Sequence, residues 1–200
     1  MPDQFIETDS GLFMARRRIL AGGALGGIAL AAMGAGVANA ASLLSPGKDA
    51  GAQKISFRNQ HTGESFSGAF KVGGRYLPDA FEQINEVLRD FRTGEVFPID
   101  PRVVDILFAV REKANVKTPY EVLSGYRSPK TNSTLARNGT GVARNSLHMT
   151  GQAIDVRLPG VSTRKLADFA QGMRSGGVGY YAKSNFVHMD TGQVRRWNQA

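Results

Sequence analysis

Two histidines and two aspartates in the second half of the chain have the residue types and spacing of a metal-dependent active site. His148 lies seven residues before Asp155 in SLHMTGQAID, and His188 lies two residues before Asp190 in NFVHMD. Asp155 interrupts the largely apolar run AIDVRL, where an unpaired buried carboxylate costs several kcal/mol. Asp155 therefore requires a nearby cation, which is either Arg157 on the same face of the predicted strand or a metal ion.

The side chains of His148, Asp155 and His188 together match a known set of metal ligands. Two imidazoles and one carboxylate can hold a catalytic Zn²⁺ and leave its fourth position for water. Residues two apart on a strand face the same side, so Asp190 is expected to address the same cavity as His188. The sequence therefore offers one candidate metal site with a further carboxylate close to it.

The elements that must position these residues predict an α+β domain. The run KISFRNQHTGESFSGAFKV predicts a β-hairpin with His61 exposed at its turn. Apolar residues recur at helical spacing between Leu77 and Arg92, and Asp100 followed by Pro101 supplies the start of a second helix. A further helix is predicted at STRKLADFAQGMRSG, and strands at YEVLSGYRS, AIDVRL, GGVGYY and NFVHMD. The expected fold is a small, mostly antiparallel sheet flanked by helices.

The N-terminal segment has the parts of an export signal. Three consecutive arginines at 16–18 precede a Gly/Ala-rich segment without charge, which ends in Ala-Asn-Ala at 38–40. This order is typical of a secretory signal peptide, and the paired arginines resemble the twin-arginine signal, which exports folded proteins. The alternative is a retained membrane anchor, since about 20 uncharged residues can span a bilayer.

The net charge and the lack of cysteine limit which binding partners and which catalytic mechanisms the chain can have. The net charge is +8 at pH 7, which suits an anionic polymer or a membrane surface. The basic residues are scattered, and export argues against nucleic acid as a partner. The chain has no cysteine, which excludes disulfides, thiolate zinc sites and cysteine nucleophiles.

Two motifs resemble a known group of enzymes. The pattern S-x-H-x-x-G-x-A-x-D, which runs from Ser146 to Asp155, resembles the zinc D-alanyl-D-alanine peptidases of the VanX/VanY and lysostaphin-like group. The preceding SGYRS at 124–128 also matches that group. The broader run from FPIDPRVVDIL through SGYRSPKTN to NFVHMDTGQVRRW is similar to the murein endopeptidase K subgroup, and this likeness covers residues 55–197.

The resemblance implies a hedgehog/D-Ala-D-Ala peptidase-like fold with one Zn²⁺ per chain on the sheet. It implies that His148, Asp155 and His188 are the zinc ligands and that Arg127 contacts the substrate or the developing oxyanion. Zinc lowers the pKa of bound water toward ~7 and polarises the scissile carbonyl. Loss of a comparable oxyanion donor costs on the order of 10²–10³ in rate. The alternative for Arg127 is a structural ion pair.

The sequence departs from the wider group at the general base. Many members carry Glu or Asp three residues before the last ligand, where this chain has Asn185, which cannot accept a proton at neutral pH. Others carry a histidine two residues before that ligand, where this chain has Phe186. Asp190 is the remaining nearby carboxylate, and we predict that it either acts as the general base or orients a ligand.

The sequence therefore predicts an exported, periplasmic, monomeric zinc peptidase that acts on peptidoglycan peptide stems. The expected parts are an export signal at 1–40, a flexible lead-in at 41–53 and a zinc peptidase domain at 54–200, with no stable transmembrane segment after processing. The bond cleaved is a D-Ala–diaminopimelate or a diaminopimelate–diaminopimelate cross-link, during wall growth or remodelling. The alternatives are a D-Ala-D-Ala carboxypeptidase and a non-catalytic metal-containing wall-binding module, which the missing carboxylate at 185 favours.

Overall fold

The computed structural model describes residues 51–138 and 142–199, so the predicted export signal lies outside the described residues. Strand β1 (Ala52–Asn59) begins inside the predicted lead-in and pairs antiparallel with β2 (Ser65–Val72). The predicted hairpin is thus present, and His61 is exposed at its turn. The short strand β3 (Arg75–Tyr76) then pairs with β2.

The described residues form four α-helices, of which three follow the patterns that predicted them, and all but the first begin with a side-chain cap. They are α1 (Pro78–Val87), α2 (Pro101–Ala114), α3 (Pro129–Arg137) and α4 (Thr163–Met173). Asp100 caps α2 by accepting a hydrogen bond from the Arg102 amide at 3.0 Å, as the sequence predicts. Helix α1 ends earlier than its apolar periodicity indicates, because the Leu88 carbonyl oxygen accepts from the Tyr126 amide at 2.8 Å instead of continuing the helix.

All eight described strands form one sheet, in the order β3-β2-β1-β4-β5-β7-β6-β8. The strands not yet named are β4 (Tyr120–Ser124), β5 (Ala153–Arg157), β6 (Gly177–Tyr181), β7 (Phe186–Asp190) and β8 (Arg195–Gln199). The α+β class is confirmed. The prediction of a small, mostly antiparallel sheet is corrected, because the sheet is mixed: β1 pairs in parallel with β4, and β6 pairs in parallel with β8.

The chain connections explain the parallel pairs. Helices α1 and α2 lie between the first hairpin and β4, and a connection of that length lets β4 run in the same direction as β1. Strand β8, which the sequence analysis missed, pairs with the edge of β6 that β7 leaves free. The result is a continuous sheet whose last three strands all border the candidate site.

The hydrophobic core lies against one face of the central strands β5 and β7 and holds them in place. Alternate residues of β5 and β7, among them Ile154, Val156 and Val187, are buried in one hydrophobic cluster with Ile84 of α1 and Leu107 of α2. Each such burial stabilises the fold by about 1.5–3 kcal/mol. The intervening residues therefore face the other side of the sheet. Within residues 51–138 and 142–199, no helix is both long and apolar enough to cross a bilayer.

Candidate metal centre

Strands β5 and β7 place Asp155 and His188 directly opposite each other. The antiparallel register pairs these two residues, and opposed side chains on one face of a sheet lie in contact. His188 Nδ1 is 2.9 Å from Asp155 Oδ1, and both residues are buried. The pairing of two strands remote in sequence thus forms half of the candidate site.

His148 reaches the same point from a short 3₁₀-helix, Leu147–Thr150. The Ser146 hydroxyl begins this helix by accepting from the His148 amide at 3.4 Å, and Gly151 ends it with φ of +65°. A Cβ at Gly151 would lie 2.1 Å from the Pro98 carbonyl oxygen. Only glycine adopts this left-handed turn so close to another backbone segment, so the turn sets where the imidazole lies.

The three predicted metal ligands meet in a triangle. His148 Nε2 lies 3.2 Å from His188 Nδ1 and 3.3 Å from Asp155 Oδ1, and the third edge is 2.9 Å. Zinc bonds of ~2.0–2.1 Å in tetrahedral geometry place ligand atoms ~3.3 Å apart, so the donor set fits a small divalent ion. In the part of the chain that the structure describes, this is the only group of three or more His, Cys, Asp or Glu side chains with that arrangement.

Each imidazole uses its second ring nitrogen to fix its orientation. His148 Nδ1 donates to the Gly125 carbonyl oxygen at 2.7 Å, and His188 Nε2 donates to Asp190 Oδ2 at 2.9 Å. The nitrogens that face the triangle are thereby held in place, as in many metal sites. A Cβ at Gly125 would lie 2.3 Å from the Leu88 carbonyl oxygen, so this loop passes too close for any other residue.

Burial and neighbouring charges control protonation in the triangle. Burial lowers the pKa of His148. Burial acts in the same direction on His188, but hydrogen bonds with Asp155 and Asp190 outweigh it and raise the pKa of His188 to about 9. Burial raises the pKa of Asp155, yet the two histidines overcome that effect and hold it well below its usual range. Binding of a cation therefore has to displace a proton from His188.

Arg127, predicted to contact the substrate, lies beside the triangle. Its Nη2 is 3.5 Å from Asp155 Oδ2 and donates to the Ser124 hydroxyl at 3.3 Å. Its buried Nε has no hydrogen-bond partner within the described residues. Burial lowers the pKa of Arg127, and the Asp155 carboxylate opposes that shift. The guanidinium is thus held beside the candidate ligand Asp155 by one ion pair and one hydrogen bond.

The alternative in which Arg157 neutralises Asp155 is wrong. The Arg157 side chain donates from Nε to the Asn185 carbonyl oxygen at 2.6 Å, in the turn between β6 and β7. Arg127, brought in from another part of the chain, is the guanidinium next to Asp155. Alternation along a single strand could not reveal this, because a long side chain can bend toward a neighbouring turn.

Asp90, which the sequence analysis missed, holds the loop that carries Arg127. Its Oδ2 accepts from the Ser128 amide at 2.9 Å and from the Ser128 hydroxyl at 2.7 Å. Burial raises the pKa of Asp90, but hydrogen bonds from Thr131 and Ser128 outweigh this and lower it to about 2. In the sequence, Asp90 is an acidic residue near the end of the predicted first helix, which gives no signal of its burial.

Asp190 lies behind His188 rather than in front of the triangle. Its Oδ1 accepts from the amides of Gly177 at 3.0 Å and Gly192 at 2.9 Å, while Arg195 donates to both carboxylate oxygens. The side chain has no exposed surface. Because Asp190 contacts the nitrogen of His188 that points away from the triangle, this geometry favours orientation of a ligand over proton transfer.

A cleft of about 590 Å³ opens onto the triangle. Asp155 is the only carboxylate among the described residues that line it, whereas Arg127, Lys183 and Arg195 contribute positive charge. The cleft is therefore basic and suits an anionic ligand. Its aromatic lining is formed by Tyr181, Phe186 and Trp197.

Asn185, at the position where many members of the resembled group carry an acid, faces away from this cleft. It lies in the turn between β6 and β7 with φ of +52°. Its Oδ1 accepts a hydrogen bond from the Thr163 hydroxyl, whereas the next residue, Phe186, lines the cleft. On this backbone a carboxylate at position 185 does not point at the triangle.

Known proteins resemble the chain over nearly its whole length. A family model described as Peptidoglycan L,D-endopeptidase MepK matches residues 48–197. Peptidoglycan L,D-endopeptidase MepK of Escherichia coli strain K12 is 38% identical over 182 residues, which are 91% of this chain and 96% of that protein. Probable peptidoglycan L,D-endopeptidase MepK of Haemophilus influenzae is 40% identical over 144 residues, 72% of this chain and 77% of that protein. No solved structure matches significantly. The resemblance to the murein endopeptidase K subgroup is confirmed.

Proposed function

The chain belongs to the peptidoglycan L,D-endopeptidase MepK family, and from this premise we propose that it is a zinc-dependent peptidase that cleaves peptide cross-links of peptidoglycan. The observation that carries the proposal is the triangle of His148, Asp155 and His188 atoms, which has the edge lengths of a tetrahedral metal site. A buried guanidinium and an open basic cleft adjoin it. This combination suits hydrolysis of an amide in an anionic polymer.

The proposed roles follow from the contacts. His148, Asp155 and His188 would hold one ion per chain. Zinc in such a site polarises a carbonyl and makes hydroxide available near neutral pH. Arg127, which lines the cleft beside Asp155, would stabilise the oxygen that becomes negative in the transition state. Asp190 holds the His188 ring through its outer nitrogen.

The names of the relatives specify an L,D bond, and we propose the same for this chain. A diaminopimelate–diaminopimelate cross-link joins an L centre to a D centre, whereas a D-Ala–diaminopimelate cross-link joins two D centres. The diaminopimelate–diaminopimelate cross-link is therefore the proposed substrate. Diaminopimelate keeps a free carboxylate near the cross-link, which suits a cleft lined by Arg127 and Lys183.

Digestion of purified sacculi that contain both cross-link types tests this proposal. Metal-replete protein is expected to hold one zinc per chain and to convert diaminopimelate-linked dimers into monomers, and a chelator is expected to stop the reaction. His148→Ala is expected to lose both zinc and hydrolysis. His61→Ala is the matched control, because this exposed histidine lies outside the cleft, and both properties are expected to persist in it.

Other results of the same digestion would support the alternatives. Release of terminal D-Ala alone would identify a D-Ala-D-Ala carboxypeptidase. Binding to sacculi without any released fragment would identify a wall-binding module.

We further propose that residues 1–40 direct export to the periplasm by the twin-arginine route, ahead of a lead-in and a monomeric zinc peptidase domain at 54–200. Replacement of both Arg16 and Arg17 by lysine is expected to leave unprocessed protein in the cytoplasm. Normal processing of that variant would refute the route. Sedimentation of the exported protein measures its oligomeric state.

A further inference from the structure

Tyr181, at the end of β6, has a hydroxyl that the proposed mechanism leaves unused. The Trp197 indole Nε1 donates to the Tyr181 oxygen at 3.1 Å. An indole N–H can only donate, so the phenol oxygen of Tyr181 accepts this bond. The hydroxyl hydrogen of Tyr181 takes no part in it. Within the described residues, Tyr181 donates that hydrogen to no other group.

The surroundings of Tyr181 hold this hydroxyl in a defined place. The Tyr181 ring stacks on Phe186, with centroids 4.3 Å apart and an interplanar angle of 13°. The two residues are paired across β6 and β7, and His188 follows Phe186 by two positions on the same face. Trp197 contacts His188 as well, with ring centroids 5.2 Å apart. The phenol is thus restrained on one side by a stacked ring and at its oxygen by the indole.

Tyr181 lines the cleft that contains the metal triangle, together with Arg127 and His148. Asp155 and the two histidines are the candidate metal ligands, so the Tyr181 hydroxyl is one of the remaining donors of the lining, beside Arg127 and Lys183, for the carbonyl oxygen of a bound peptide.

We propose that Tyr181 is a catalytic residue whose hydroxyl donates a hydrogen bond to the carbonyl oxygen of the scissile peptide as negative charge develops there. The proton stays on the phenol throughout, so this step forms and breaks no covalent bond. A donor that is already oriented stabilises the transition state more than the substrate, because it needs no reorganisation when the charge appears. Trp197 is the positioning residue that directs the hydroxyl. The inference rests on the proposed peptidase function.

The test is turnover of cross-linked muropeptides by Tyr181→Phe, which keeps the ring stack and removes only the hydroxyl. The expected result is a kcat lower by about 10²–10³ with KM changed only a few-fold. Zinc content and thermal unfolding are expected to match the wild-type protein. Tyr180→Phe is the matched control, since Tyr180 precedes it on the same strand but lies outside the cleft, near Arg164.

Zinc affinity and thermal stability separate a catalytic hydroxyl from a merely structural one. If Tyr181 acts only by supporting Trp197 and His188, Tyr181→Phe must lower zinc affinity or thermal stability together with kcat, and that result would overturn the inference. A kcat of Tyr181→Phe within about threefold of wild type would overturn it too. A wild-type protein that releases no muropeptide would instead refute the proposed function, and the role of Tyr181 along with it.

Discussion

Replacement of Asp190 by asparagine separates the two roles considered for this residue. Asp190 accepts from His188 and Arg195 at one oxygen, and from the amides of Gly177 and Gly192 at the other, where Arg195 donates as well. An asparagine presents an amide NH₂ at one of these positions. In either orientation of the amide, its NH₂ group meets groups that already donate hydrogen bonds to Asp190. If the NH₂ group faces His188, Nε2 of that ring must become the acceptor, and its proton moves to Nδ1, the nitrogen that faces the triangle.

The expected cost is a loss of metal affinity. Removing a carboxylate that orients a histidine ligand weakens metal binding by about 10–100-fold, which is about 1.4–2.7 kcal/mol. If orientation is the role of Asp190, turnover at saturating zinc should recover to a large part of the wild-type rate. If Asp190 is a general base, zinc affinity should persist while kcat falls by about 10²–10⁴.

The assay is a zinc titration against a competing chelator, followed by muropeptide turnover at saturating zinc. Asp168→Asn is the control, because this aspartate is exposed on α4 and lies outside the cleft, and neither quantity is expected to change. Wild-type zinc affinity with lost turnover in Asp190→Asn would refute the orientation argument. Unchanged affinity and unchanged turnover would exclude both roles.

Three further substitutions test the positioning of the site. The pKa of Asp90 is lowered to about 2, so its ionised carboxylate stabilises the fold above pH 4, and this stabilisation is lost as the pH falls toward 2. Asp90→Asn should therefore lower the unfolding free energy at pH 7 by about 2 kcal/mol. In urea unfolding curves this difference from wild type should shrink below pH 4, and a pH-independent difference would contradict the assignment. Gly125→Ala forces its Cβ against a backbone oxygen, and we expect a loss of about 1–3 kcal/mol in thermal unfolding together with weaker zinc binding. Gly172→Ala on α4 meets only a flexible side chain, and equal losses in both alanine variants would count against the close-approach explanation. Asn185→Asp should leave kcat unchanged, because this side chain faces Thr163; a large increase in turnover would show that position 185 reaches the reacting water.

Local patterns were sufficient to predict most elements of the fold. The Asp100 cap, the first hairpin and the amphipathic helix after Ser162 all appear where the sequence predicts them. Each depends on residues a few positions apart, and side-chain caps and apolar periodicity act over that range. The same holds for the choice of candidate ligands, since few residue types bind zinc.

Pairings between distant segments could not be predicted in the same way. The sheet order, the parallel pairing of β8 and the burial of Asp90 depend on which strand edges and loops meet. Similar polar residues elsewhere in the chain are exposed, so residue type alone does not distinguish Asp90. The contact of Trp197 with both Tyr181 and His188 likewise requires β8, which no sequence pattern had marked as a strand.

Residue types and local patterns thus predicted the chemistry of the candidate site: two imidazoles, one carboxylate and one guanidinium, with a helix, turn or strand around each. The tertiary structure specifies which of these atoms face one another. Strand register set His188 against Asp155, backbone packing at Gly125 and Gly151 set the approach of His148, and Asp190 came to lie behind the triangle. Distances of about 3 Å between ligand atoms depend on contacts among segments far apart in the chain, and only the folded backbone specifies these.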